Sequence, residues 1–314
     1  ESDARRAFPC FDHPSIKSSF DIEMVIKDSL RAVSNGPVVE ERRLGGGKKL
    51  VRFQKTPSMS SYLVFFGVGD FEFLEAPGEP LMRVVTVPGM SKYGKPGLEF
   101  GRKSLEFCRD YFEIDYPLSK LDLIAVPDFA FGAMENWGAI TFRENLLLSD
   151  PEVTSTSAHQ DICTIIAHEI VHQWFGNLVT PEEWKYLWLN ESFATYFSYR
   201  VVDRHHPDWG VWQRFVYSQT QKALERDGFH QTIPIELPDQ EHAAINASTA
   251  PIIYNKGASI LRQVEPYIGE ERFRQGLQDY LEKYQYACAS SRRLWEAFED
   301  TAEKPVARLM KSMI

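Results

Sequence analysis

The chain has 314 residues, enough for about two domains of ordinary size and for a core that needs no disulfide support. Apolar residues make up 43% and charged residues 25% of it, which excludes bulk disorder and collagen-like repeats. The net charge of −9 argues against a nucleic-acid partner bound by phosphate neutralisation. Since no apolar run reaches the roughly 18 residues of a membrane span, no membrane segment is expected.

The 4 cysteines lie far apart and form no Cys-x-x-Cys pair. This usage favours a reduced intracellular protein and predicts a cytoplasmic location. The chain opens at Glu1 with neither a methionine nor a signal peptide. We therefore expect a segment of a longer protein.

The first 75 or so residues predict a β-rich segment. Phe20, Ile22, Met24 and Ile26 recur with the period of a half-buried strand. The other elements predicted in this segment are turns at 35–37 and 45–47 and strands at 51–53 and 62–68. At residues 76–80 the composition becomes that of a linker, so we predict a first domain over residues 1–77 and a second over 78–314.

Helical spacing begins after Gly97, where Leu98, Leu105, Cys108 and Phe112 form an apolar stripe. Short strands are predicted at 121–126 and 139–142, and helices at 158–175, 190–205, 208–226, 256–268, 270–285 and 291–302. This order predicts an α+β fold. Part of an antiparallel β domain comes first, followed by a mixed α/β domain whose second half is mainly helical.

A His-Glu-x-x-His pattern stands in the predicted helix 158–175. The spacing places His168 and His172 on one face, one turn apart, where two imidazoles can share a zinc ion. Glu169 lies beside them and could handle a metal-bound water. Apolar residues surround the motif, so the helix is expected to be buried, and a buried glutamate between histidines is costly without a partner. A hydrogen-bonded core pair without metal is the alternative.

A third ligand is expected from another helix. Glu191 follows His172 after eighteen residues, and Asn190 before it is suited to cap a helix. Taken alone, Glu191 is more typical of a glutamate in the first turn of a helix than of a metal ligand. Together with the two histidines it completes a His₂Glu set with one position left for water, as in catalytic zinc sites.

This combination resembles the gluzincin metallopeptidases, and within them the zinc aminopeptidases of the aminopeptidase N group. The puromycin-sensitive and archaeal tricorn-interacting aminopeptidases are the members most similar to it. The resemblance also rests on Gly132, Ala133, Met134, Glu135 and Asn136, which match the exopeptidase motif, and on blocks at 4–12, 173–180 and 254–258. It implies a thermolysin-like catalytic domain.

The resemblance implies roles for single residues. One zinc ion per chain would be bound by His168, His172 and Glu191, and Glu169 would be the general base. Tyr254 would donate a hydrogen bond to the oxyanion. Glu135 would hold the free α-ammonium group of a peptide, within a substrate-binding segment that comprises Gly132, Ala133, Met134 and Asn136. Further domains of a longer chain would precede Glu1 and follow Ile314.

The predicted function is hydrolysis of the first peptide bond of peptides with a free N-terminus, by a zinc-activated water. A thermolysin-type zinc endopeptidase is the alternative enzyme, because the same zinc site would serve it. A non-catalytic peptide-binding protein on the same fold is the alternative outside enzymes. Glu135 favours the aminopeptidase over the first alternative, and the intact Glu169 and ligand set favour it over the second.

Overall fold

The structure is a computed structural model and describes residues 4–236 and 245–314. The chain first forms small antiparallel sheets and then a mixed sheet with many helices, so the predicted α+β organisation is confirmed. In the part that is described, no helix has the length and apolar character needed to cross a bilayer.

The N-terminal part consists of a short helix and small antiparallel sheets. Its elements are α1 (Ala4–Ala7), β1 (Lys17–Ser18), β2 (Glu23–Lys27), β3 (Arg31–Ser34), β4 (Val38–Gly45), β5 (Lys48–Phe53), β6 (Met59–Ser60) and β7 (Phe66–Gly69). Strands β2, β5 and β4 form one sheet, β1 pairs with β6, and β3 pairs with β7. The predicted alternation is realised in β2, where Ile26 is buried against Val51 and Phe53.

The predicted strand at 62–68 is partly wrong. Ser61–Leu63 form a buried 3₁₀-helix, and the paired strand starts only at Phe66. Tyr62 is drawn into the main core, where its ring meets Trp184 edge to face at 5.5 Å. Packing against a distant tryptophan thus overrides the local strand preference.

The central sheet is mixed and has the order β11-β12-β10-β9-β8. Its strands are β8 (Glu72–Ala76), β9 (Leu81–Thr86), β10 (Lys120–Val126), β11 (Ala133–Met134) and β12 (Ala139–Arg143). β10 runs parallel to β9 and β12, whereas the outer strands β8 and β11 are antiparallel to their neighbours. β8 precedes the predicted domain boundary and pairs with β9 beyond it; the boundary itself stays a prediction.

The helices pack mainly around the largest core. They are α2 (Lys95–Phe112), α3 (Thr156–Val171), α4 (Trp188–His205), α5 (Val211–Phe215), α6 (Gln221–Asp227), α7 (Gly257–Ile268), α8 (Glu270–Tyr284), α9 (Ser291–Ala302) and α10 (Val306–Met310). The short strands β13 (Thr180–Pro181) and β14 (Cys288–Ala289) pair with each other in parallel. The predicted helix 208–226 is interrupted, because Val216–Thr220 are π-helical. A second π-helical segment, Pro251–Lys256, precedes α7.

Candidate metal centre and peptide cleft

Helix α3 carries the two histidines. The Ser155 hydroxyl accepts from the Ala158 N–H at 3.2 Å and caps the start of the helix. His172 follows its last residue but keeps helical dihedral angles, φ −56° and ψ −23°, so the one-turn spacing to His168 is preserved. The predicted extent to residue 175 is too long, because α3 ends at Val171 and the Gln173 and Trp174 N–H groups then bond only three residues back, to Ile170 O and Val171 O.

Helix α4 carries Glu191 in its first turn. The helix begins at Trp188, directly after a 3₁₀-helix that ends at Tyr186, so Asn190 lies inside it. The predicted N-cap role of Asn190 is therefore wrong. Its amide instead faces the Tyr62 hydroxyl at 3.4 Å, and its backbone N–H bonds to Leu187 O at 2.9 Å.

The three predicted ligands converge on one point. His168 Nε2 and His172 Nε2 lie 3.1 Å apart, and each lies 3.3 Å from Glu191 Oε2. His172 Nδ1 donates to the Phe175 carbonyl oxygen at 3.0 Å. This bond fixes the ring and leaves Nε2 free to present its lone pair to the other two atoms.

The spacing of these donor atoms fits zinc. Two ligands about 2.0–2.1 Å from a tetrahedral ion lie about 3.3–3.4 Å from each other. The three observed separations of 3.1, 3.3 and 3.3 Å are close to that value. These nitrogen and oxygen atoms need a proton or a metal ion between them at such distances, and one zinc ion satisfies all three at once, so His168, His172 and Glu191 fit the ion.

The electrostatics of the buried cluster agree with this fit. Burial alone would lower the pKa of His172, but the carboxylates of Glu135 and Glu191 raise it to about 10. Burial alone would raise the pKa of Glu191, yet His172 and His168 lower it to about 2. The pKa of His168 is lowered, chiefly by burial. The cluster thus favours positive charge at the point where the donors meet.

Two further carboxylates lie against this trio. One donor atom from each of Glu135, Glu169 and His172 is within 4.8 Å of the others. Both glutamates are buried. Burial raises the pKa of Glu135, and the nearby Glu191 raises it further. These groups would need a cationic partner to remain ionised together.

The segment 132–136 forms the outer edge of the central sheet. Ala133 and Met134 make up β11, which pairs with Phe142 and Thr141 of β12. The other side of this edge strand faces a cleft with a volume of about 1180 Å³, whose lining includes Gly132. An edge strand beside a cleft can add an extended peptide by backbone hydrogen bonds.

The backbone of this segment is held by side chains from two other regions. Asn177 Nδ2 and Gln173 Nε2 donate to the Glu135 carbonyl oxygen at 2.9 and 3.4 Å. Asn35 Nδ2 donates to the Trp137 carbonyl oxygen at 2.8 Å. The Asn136 side chain is also engaged, accepting from Thr141 Oγ1 at 3.4 Å. The direction of Glu135 is therefore set by residues outside its own strand.

Tyr254 lies in the same cleft, in the π-helical segment before α7. Its ring is nearly parallel to that of His168, at 16° and 6.0 Å between centroids. All the residues predicted for the site from the sequence line this cleft, as the lining includes Gly132–Asn136, His168, Glu169, His172, Glu191 and Tyr254.

Sequence reasoning assigned no role to Asn35, Gln173 or Asn177, although these side chains hold the Glu135 segment. Gln173 and Asn177 belong to a block that the resemblance includes, and this was the available signal. The sequence marks Asn35 only as part of the predicted turn at 35–37, because its partner Trp137 lies about 100 positions away.

The chain was compared with known proteins. A family model described as "Peptidase family M1 domain" matches residues 97–313, and one described as "Peptidase M1 N-terminal domain" matches residues 1–63. The leucyl aminopeptidase of Saccharolobus solfataricus is 44% identical over 314 residues, covering 99% of this chain and 40% of the relative. Aminopeptidase M1 of Arabidopsis thaliana is 42% identical over 313 residues, covering 99% of this chain and 35% of the relative.

A third relative, probable aminopeptidase 2 of Sulfurisphaera tokodaii, is 45% identical over 312 residues, with 99% of this chain and 40% of the relative covered. The chain thus spans about 35–40% of the length of the curated relatives it matches. The predicted family resemblance is confirmed over both parts of the chain. The matches to both domain models, together with the His₂Glu trio that the fold assembles, show that the chain belongs to peptidase family M1.

Proposed function

We propose that this chain carries the catalytic centre of a zinc-dependent aminopeptidase, with one zinc ion held by His168, His172 and Glu191. The observation that carries the proposal is the position of Glu135. Its carboxyl group lies on the edge segment beside the ligands, within 4.8 Å of donor atoms of Glu169 and His172. The relatives are named as aminopeptidases, which supports the same activity here.

The residues of the site have different roles in the proposed reaction. A zinc ion held by His168, His172 and Glu191 would lower the pKa of a bound water to about 7 and would polarise the scissile carbonyl. Glu169 accepts the proton of the attacking water and delivers it to the leaving amine. Tyr254 donates its phenol hydrogen bond to the oxyanion that develops on the carbonyl oxygen. Gly132, Ala133, Met134 and Asn136 place the peptide backbone along the edge of the sheet.

Glu135 decides which bond is cleaved. A free α-ammonium group is a compact cation with three donors, and a buried carboxylate binds it far more strongly than water-exposed carboxylates do. An ammonium group anchored there places the first carbonyl beside the ligands. The substrates are therefore peptides with a free N-terminus. An internal peptide bond would require the preceding residue to pass through the position of the buried carboxylate, which disfavours an endopeptidase.

The proposed location is the cytoplasm. All 4 cysteines are free, and Cys108 and Cys163 are buried. This supports a reducing compartment, where the products would enter general peptide catabolism.

Cleavage of a free and an N-acetylated form of one peptide tests the proposal, with products identified by mass. Acetylation removes the charge that Glu135 binds, so we expect only the free peptide to lose its first residue. Glu135→Ala should weaken the reaction by the equivalent of about 2–5 kcal/mol, the cost of losing one side of a buried charge pair. Internal cleavage of the acetylated peptide at a comparable rate would identify an endopeptidase. Binding of both peptides without cleavage would identify a binding protein.

A further inference from the structure

The backbone around Tyr254 is unusual. Tyr254 lies in the π-helical segment Pro251–Lys256, which packs against the other π-helical segment, Val216–Thr220. π-Helical turns are rare and frequently occur at functional sites. A return to ordinary α-helical bonding would rotate Tyr254 about the helix axis, so the position of its phenol depends on whatever holds this turn.

The residues next to Tyr254 are held from three sides. Ser192, which directly follows Glu191 on α4, donates its hydroxyl to the Ile253 carbonyl oxygen at 2.6 Å. Asn255 Nδ2 donates to Gln219 Oε1. Lys256 Nζ lies 3.0 Å from Asp227 Oδ1 at the end of α6. The turn is therefore fixed by side chains from α4, from the other π-helical segment and from α6.

Gln219 links two of these elements. Its Oε1 accepts from Asn255, and its Nε2 donates to the Tyr199 hydroxyl at 2.9 Å. Tyr199 is buried on α4, two turns after Glu191. A single half-buried side chain thus joins the helix that presents a predicted metal ligand to the turn that presents Tyr254.

We propose that Gln219 is a positioning residue for Tyr254, holding the π-helical turn so that the phenol meets the oxyanion. The inference rests on the proposed function, because it needs Tyr254 to act in an aminopeptidase reaction. An oxyanion donor must lie within about 2.7–3.1 Å of its target, and a misplacement of about 1 Å can cost about a hundredfold in rate. Gln219 also lines the cleft, so the test uses KM and a double substitution to separate positioning of Tyr254 from direct contact with the substrate.

The test combines Gln219→Met with Tyr254→Phe. Methionine keeps the length of the side chain and removes its hydrogen bonds to Asn255, Tyr199 and Ser218. We expect kcat to fall roughly tenfold with KM changed less than about twofold, because the contact is used mainly in the transition state. In the Tyr254→Phe background, where the phenol is already gone, Gln219→Met should cause little further loss. This non-additivity is the signature of residues acting as a unit.

Rescue and matched control variants sharpen the test. Gln219→Glu keeps an oxygen that accepts from Asn255 but loses the Nε2 donor to the Tyr199 and Ser218 hydroxyls, so kcat should lie between that of Gln219→Met and that of the unsubstituted protein. Asn255→Ala removes the same bond from the other side and should reproduce the loss. Gln263→Met is the control, because Gln263 is an exposed glutamine on α7 whose side chain bonds within its own helix, to Ser259 O at 3.4 Å. It should leave kcat unchanged.

The outcomes separate this inference from the function on which it rests. An equal tenfold loss from Gln219→Met in both backgrounds would overturn it, as would unchanged kcat in both Gln219→Met and Asn255→Ala. If Gln219→Met does not fold, the comparison of Asn255→Ala in the two backgrounds decides by the same criterion. An unsubstituted protein that cleaves no free peptide would overturn the proposed function itself.

Discussion

At the scale of single residues, the cleft concentrates ionisable groups that proteins normally keep in water. Glu135, Glu169, His172 and Glu191 are all buried, and His168 is nearly so. Burying several carboxylates together is costly unless cations compensate them. Metal binding and ammonium binding would each supply a positive charge, so the arrangement stabilises the liganded site more than the empty one.

The first residue-scale prediction separates chemistry from metal binding. Glu169→Gln keeps the size of the side chain and removes the proposed base, so activity should fall at least about a hundredfold while zinc content stays at about one per chain. His172→Ala removes a proposed ligand and should lower zinc content as well as activity. Peptide hydrolysis and elemental analysis of the same preparations measure both quantities.

Glu152→Gln at an exposed position provides the matched control and should leave both quantities unchanged. Loss of zinc from Glu169→Gln would mean that Glu169 is a ligand rather than the base. Activity above about a tenth of the original value would contradict the assignment of the base altogether.

At the scale of elements, the edge segment depends on its contact with the N-terminal part. Gly138 follows this segment with φ +77°, and a Cβ added there would lie 2.4 Å from the Asn35 carbonyl oxygen. Gly89 has a similar φ of +86° but no atom within 4 Å of such a Cβ. An alanine would strain the backbone at both positions, but only at Gly138 would its Cβ also clash with a neighbouring atom.

Gly138→Ala and Gly89→Ala make a pair of variants that tests this contact. Gly89→Ala should cost about 1–2 kcal/mol of stability through backbone strain alone. Gly138→Ala should cost clearly more and also raise KM, because moving Asn35 away from Trp137 shifts the backbone after Glu135. Urea denaturation midpoints and peptide kinetics measure the two effects. Equal effects of the two substitutions would show that the contact does not position the edge segment.

At the scale of the whole molecule, a buried charge cluster joins the central sheet to the N-terminal part. Lys120 Nζ donates to Asp122 at 2.8 Å, to Ser34 O at 2.5 Å and to Gly138 O at 2.7 Å. Arg83 makes a two-bond pair with Asp122 at 2.6 and 2.8 Å. The cluster therefore connects β9, β10 and Gly138 to β3.

This cluster predicts how stability depends on pH. Burial alone would raise the pKa of Asp122, but Lys120 and Arg83 hold it below its ordinary value. The pKa is thus lower in the folded chain than in the unfolded one, where it is about 3.9. The ionised carboxylate stabilises the fold above that pH, and its contribution is lost as the pH falls below about 4 and through the folded value.

Urea midpoints measured between pH 7 and pH 3 test this prediction. Asp122→Asn should be less stable at pH 7 by about 3–5 kcal/mol, because it leaves buried cations unpaired, and its midpoint should fall less steeply with acid. Asp21→Asn, at an exposed carboxylate, should follow the unsubstituted protein. If the urea midpoint of Asp122→Asn falls with acid as steeply as that of the unsubstituted protein, groups other than Asp122 cause the pH dependence of stability.

The parts of the site that the sequence predicted are those set by local geometry. His168 and His172 face the same way because helical bonding repeats every turn, so their spacing alone indicated a shared ligand site. The apolar residues around the motif likewise indicated that its helix is buried. For Glu191 taken alone, the pattern favoured a first-turn glutamate over a ligand, and only the packing of α4 on α3 brings its oxygen to 3.3 Å from both rings.

The tertiary structure alone decided the features that depend on distant segments. Tyr254 and Glu135 had no warrant in spacing, only in the family resemblance, and their meeting in one cleft required the sheet edge, α3 and α4 to pack together. The same is true of the 3₁₀-helix at Tyr62, the start of α4 before Asn190 and the π-helical turn held by Gln219. The physical reason is that hydrogen bonds within a few residues fix the period of a segment. Side-chain contacts between segments far apart in the chain fix where that segment bends, ends and points.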